Sequence, residues 1–136
     1  MAAYSNKFPW PSHYGHFSFF EERMQNHSAV KSLENLGNGL YKLHRKRGDI
    51  LKVFVCECYA FGVAEYIESE QKLGKLDAVV INSAWCGFSR DARKHCWDAN
   101  VGLFRIGDFM AALNQKKVSK HLNSDEKEYF TKKGWI

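Results

Sequence analysis

Proline is nearly missing from this chain: the only two, Pro9 and Pro11, both lie near its start. From residue 12 onward nothing of that kind can break a helix or a central strand. Long apolar runs are missing as well. None approaches the ~20 residues that span a bilayer, so no membrane partner is expected. The first 30 residues hold no apolar stretch after a basic start. No secretory signal is therefore expected, and the chain is expected in the cytoplasm. The sequence has no G-x-G-x-x-G after a strand, no Walker loop and no G-x-S-x-G elbow. Dinucleotide binding, P-loop chemistry and a serine-hydrolase elbow drop out with them.

Cysteine is present but unpatterned. Cys56, Cys58, Cys86 and Cys96 include no C-x-x-C pair, and no knuckle turn brackets them. The spacings of structural zinc sites are absent. Without a secretory signal these residues read as buried free thiols. For the same reason the Asn26-His27-Ser28 acceptor pattern carries no meaning. Neither sign of charge dominates: 20 basic and 15 acidic residues give a net charge of +5. That balance permits an anionic partner such as nucleic acid and does not require one.

What is present suits one packed domain, since 45% of the 136 residues are hydrophobic and 15% aromatic. Residues 1–16 read as an extended arm with Phe8, Trp10 and Tyr14 as anchors, and residues 17–136 as an α/β core. Ser18 followed by Glu21 predicts a capped helix over about 19–26. Ser28, with Ala29, Val30, Leu33 and Leu36 at helical spacing, predicts a second helix ending at Gly37. Leu40 to Arg45 alternates like a half-exposed strand. Ile50 to Cys58 reads as a buried strand, and the two should pair as a hairpin. Helices are expected over 61–73, 90–99, 108–113 and 124–133, with buried strands at 77–82 and 103–106. This order predicts a mixed sheet of four to five strands flanked by helices.

Residues 77–113 are the most informative stretch. A buried strand, Ala78 to Ile81, ends in a small polar loop, and Gly87-Phe88-Ser89 starts a helix with Ala92 on its inner face. Val101-Gly102-Leu103 begins the next strand, and a helix follows. This stretch resembles the C-terminal half of the restriction-endonuclease-like (PD-(D/E)XK) superfamily, particularly Holliday-junction resolvases and type IV restriction enzymes. The resemblance implies a restriction-endonuclease-like core. It also implies an Asp and a Glu-x-Lys that converge on Mg²⁺. In Val55-Cys56-Glu57-Cys58-Tyr59, Glu57 stands in the acid's place and Tyr59 in the lysine's. A tyrosine supplies no fixed cation. Asp49 is the only aspartate of the hairpin, about 26 Å from Glu57 along one extended strand. Glu65 is the other available partner.

Two further constellations suit a phosphate. Lys42, His44, Arg45, Lys46 and Arg47 form a basic run at a hairpin tip, which can grip a nucleic-acid backbone or simply protect an edge strand. Lys116, Lys117, Lys120 and His121 pose the same alternative. Ser89, Arg90, Arg93 and Lys94 gather at a helix start, which can hold an anion or be a plain N-cap. The expectation is a nucleic-acid-binding domain, for DNA or RNA, whose nuclease chemistry is impaired or absent. The alternatives are a protein-interaction module, with a protein partner, and an active Mg²⁺-dependent nuclease using Glu57 with Asp49.

Overall fold

The computed structural model describes residues 7–11 and 16–136. Tyr14, one of the expected arm anchors, lies outside the described residues. Strand alternation governs the first half of the chain. Helix α1 (His16–Gln25) is followed by three antiparallel strands, β1 (Val30–Gly37), β2 (Leu40–Arg45) and β3 (Ile50–Cys56).

Strand β1 overturns the helix predicted from Ser28 to Leu36. Its helical spacing is incidental, since Leu36 is 43% exposed and Val30 is the strand's one fully buried residue. The decisive signal is the two-residue Asn38-Gly39 turn. With φ of +54° and +85°, it has the left-handed pair that a tight antiparallel hairpin requires. A Cβ on Gly39 would meet the Val55 carbonyl oxygen at 2.2 Å, so only glycine fits. Helix α1 also starts earlier than predicted, which puts Ser18 inside it and not at its cap. Glu21 instead accepts hydrogen bonds from the Tyr41 hydroxyl (2.7 Å) and the Asn35 amide (3.0 Å).

The second half follows the predicted alternation. Residues Ala60–Phe61 (β4) lead into α2 (Val63–Leu73), then β5 (Ala78–Ile81), β6 (Gly87–Phe88), α3 (Arg90–Asp98), β7 (Gly102–Arg105) and α4 (Ile106–Ala112). A 3₁₀ turn at Val118–Lys120 precedes α5 (Ser124–Lys132). The sheet order is β1-β2-β3-β5-β7, with β3, β5 and β7 parallel, so the sheet is mixed, five-stranded and flanked by helices. The short parallel pair β4–β6 lies apart from it and has no counterpart in the sequence expectation.

Each face of the sheet carries its own core, because successive side chains point to opposite sides. Tyr41, Leu43, Val53, Val55 and Val80 pack under α1 and α4. Phe54, Cys56, Val79, Ile81 and Leu103 pack under α2 and α3. The arm joins the second core. Trp10 is 3% exposed, with ring centroids 5.9 Å from Phe61 and 6.4 Å from Phe54. All four cysteines are buried and free. Burial pushes the Cys58 and Cys96 thiols up to about 12. No helix among the described residues is long and apolar enough to cross a membrane.

Candidate nucleic-acid interface

Strand β2 buries alternate residues, Tyr41, Leu43 and Arg45. Its third buried position therefore carries a guanidinium out of solvent, and only 2% of Arg45 remains exposed. A buried cation is tolerated only with partners for its donors. Nε and Nη2 hold the two carboxylate oxygens of Asp49 at 2.8 and 2.5 Å. Nη1 donates to the carbonyls of Leu113 (3.1 Å) and Gln115 (2.5 Å), and Nη2 to that of Lys116 (2.9 Å). These carbonyls lie just past α4, where a helix end leaves C=O groups without internal partners. Lys46 N–H completes the attachment by donating to the Ala29 carbonyl at 2.9 Å.

Arg45 is thus an internal clamp and not a phosphate-gripping residue as the sequence suggested. Its effect is to join two basic segments that are 70 residues apart. Lys46 and Arg47 in the β2–β3 turn come beside the connector that carries Lys116 and Lys117. All four side chains are exposed, and none makes an ion pair among the described residues. Arg45 underlies a cleft on each side of this junction, of about 360 Å³ beside Lys116 and Lys117 and about 260 Å³ beside Lys46 and Arg47. The basic surface continues to Lys120, whose ammonium burial holds below the ordinary lysine value. Lys42 and His44 alternate to the other side of β2. There Lys42 sits between Glu34 and Lys52, and neither joins this edge.

The second predicted cluster is only partly outward-facing. Ser89 caps α3, its hydroxyl accepting from Ala92 N–H at 3.0 Å. Lys94 pairs with Asp98 at 2.7 Å. Arg93 is 2% exposed and pairs with Glu126 at 2.9 Å. Arg90 remains at the surface, stacked 3.9 Å from the centroid of the Tyr129 ring. Arg105, at the end of β7, stands in the same region and was not singled out in the sequence. Its one cue is position, because the carboxyl ends of parallel strands are where α/β sheets bind ligands.

Asp49 and Glu57 are not brought together. They flank β3 at opposite ends, and Asp49 is held by Arg45, which keeps its carboxyl below the usual carboxylate range. Glu57 is wholly buried, and its N–H donates to the Trp10 carbonyl at 2.9 Å. Glu65 accepts from Gly62 N–H at 2.9 Å in the cap of α2. Carrying the β2–β3 pairing on from Leu40↔Phe54 puts the Gly37-Asn38-Gly39 turn, with no acid, across from Glu57. Mg²⁺ needs carboxylate oxygens gathered at one point, and among the described residues no group of three or more potential ligands could hold a metal ion. The residues present do not fit the Mg²⁺ site that the resemblance implies. Tyr59, in the lysine's place, is 56% exposed.

Comparison with family models, with curated proteins and with solved structures finds no match to this chain.

Proposed function

We propose that this chain is a nucleic-acid-binding domain on a restriction-endonuclease-like core, and that it works without metal-dependent cleavage. The observation that carries the reading is the Arg45 clamp. It holds Lys46, Arg47, Lys116 and Lys117 along one exposed edge, none of them in an ion pair among the described residues. Clustered cations held on rigid backbone are what a phosphate chain recognises. Apart from the short β6, the stretch 77–113 runs strand, loop, helix, strand, helix, the order that the resemblance implies. The scattered acids support binding over chemistry.

The test is fluorescence anisotropy with labelled single- and double-stranded DNA and RNA across a salt series, with and without Mg²⁺. Four phosphate contacts on duplex DNA give a log–log salt slope of about −3 to −4. Replacing Lys116 and Lys117 by alanine together should weaken binding on every sequence and flatten that slope by about 2. Absence of binding at low salt sinks the reading and turns the search to a protein partner. Cleavage that requires Mg²⁺ and disappears in Glu57→Gln would restore the nuclease.

A further inference from the structure

A cavity of about 280 Å³ lies between the first turns of α3 and α5. Arg90, Arg93 and Arg105 line it. Arg93 is 2% exposed, with Nε on Glu126 at 2.9 Å and Nη2 on the His121 carbonyl at 2.7 Å. Its Nη1 is buried and has no hydrogen-bond partner among the described residues. Folded proteins rarely leave such a donor unpaired, and the rings of Phe104, Trp97 and Phe130 only surround it, so its guanidinium keeps an under-compensated charge at the cavity it lines.

The neighbours point the same way. Arg90 lays its face on Tyr129 and makes no hydrogen bond among the described residues, which leaves its N–H edge open. Arg105 is exposed, and its one hydrogen bond among the described residues is a long 3.5 Å approach to the Ser83 carbonyl. Its Nη2 lies 3.3 Å from where a Cβ on Gly87 would sit, so glycine keeps that space clear. Two helix N-termini, of α3 and α5, border the cavity and add partial positive charge. Against them stand two carboxylates. Glu126 already accepts from Arg93 and from Asn123 N–H (3.1 Å), and Asp125 lies exposed in the first turn of α5. Three guanidiniums against two carboxylates leave the lining positive.

We propose that this cavity receives the phosphate monoester of a nucleotide, supplied by a strand end or by a free nucleotide. A monoester carries about −1.5 to −2 near neutral pH and three acceptor oxygens, which suits several converging donors better than a singly charged diester does. The volume is at the small end for a ligand pocket and suits a phosphate with its sugar. The proposal rests on the nucleic-acid reading only for where the ester comes from.

The experiment measures anisotropy of one labelled strand carrying a 5′-phosphate, a 3′-phosphate or neither. It also measures thermal stabilisation by inorganic phosphate and by a nucleoside 5′-monophosphate. A phosphorylated end should bind about tenfold tighter. Arg105→Gln and Arg90→Gln, both at exposed residues, should abolish that gain without lowering Tm. Competition by the mononucleotide assigns free nucleotides as a source, and its failure against a preferred end assigns the strand end. If no strand binds but the mononucleotide raises Tm, and Arg105→Gln removes the effect, the cavity stands while the basic-edge reading falls. The proposal is overturned if phosphorylation makes no difference and neither small phosphate shifts Tm. A gain that survives both substitutions together overturns it as well.

Discussion

Arg45 and Arg93 are buried to the same degree, at 2% each, yet their surroundings differ in kind. The five N–H donors of Arg45 have five bonds, two to a carboxylate and three to carbonyls. Arg93 has one carboxylate, one carbonyl and three N–H donors left over among the described residues, both of those on Nη1 included, with the rings of Phe104, Trp97 and Phe130 at 5.2, 5.9 and 6.0 Å. Burial alone therefore does not tell a structural arginine from one with a free valence. The donor count does. A saturated guanidinium fixes backbone, and an unsaturated one keeps charge that its partners do not compensate.

The largest expected effect is at the saturated residue. Arg45→Met leaves three carbonyls and Asp49 without their donors and should cost ~3 kcal/mol in urea unfolding, since breaking a buried ion pair is typically worth that much. Nucleic-acid affinity should fall with it, because the two basic segments are no longer tied. A cost below ~1 kcal/mol would mean that the junction holds without its clamp. Arg93→Met should cost less, ~1–2 kcal/mol. It removes one ion pair but also removes an unpartnered donor, and the thioether can pack on the rings that surround it. Equal losses at the two sites would erase the distinction.

Acid titration tests the ion pair of the saturated site directly. The native Asp49 carboxyl is held below its unfolded value, first by hydrogen bonds from Arg45. A depressed native pKa stabilises the fold above the unfolded value and loses that contribution as pH falls through the native one. The gap in urea midpoint between the wild type and Asp49→Asn should be full near pH 6. It should shrink as pH drops below about 3.9. Asp49 is 43% exposed, so screening keeps the gap near ~1 kcal/mol. A gap that persists unchanged to pH 2 would mean that the pair does not contribute as an ion pair.

The main strands of the second half, β5 and β7, were legible in the sequence because they are short buried runs between clear caps. Ser89 before α3 and Gly74 after α2 are such local signals. β1 was not legible. As an edge strand it buries little, and its few apolar residues happen to fall at helical spacing. The Asn38-Gly39 turn was the better guide there, and its backbone geometry outweighs that pattern. The site was legible only as residue types. Arg45 and Arg47 look alike in a basic run, but Arg45 is the last residue of β2 and points inward with Tyr41 and Leu43, whereas Arg47 lies past the strand in the turn and stays in solvent. The union of the β2–β3 turn with Lys116 is a contact 71 residues long, which no local pattern encodes.

The smallest effect is at Ser89, and it reaches the comparison from the helix side. Its hydroxyl accepts from Ala92 N–H, and its chain neighbours Phe88 and Arg90 line the Arg93 cavity. Ser89→Ala removes the cap and should cost ~1 kcal/mol, while Ser89→Gly should cost only a few tenths. Ser89→Asp keeps an acceptor at the cap and favours the helix dipole, so unfolding should move by no more than about 0.5 kcal/mol. The same change adds a negative charge at the helix start, next to Phe88 and Arg90 of the cavity lining. If the cavity awaits an anion, Ser89→Asp should leave Tm in place and still lower the affinity for a phosphorylated end, leaving the unphosphorylated strand as before. If it leaves both strands equally bound, Arg93 is a structural residue like Arg45, with three bonds fewer.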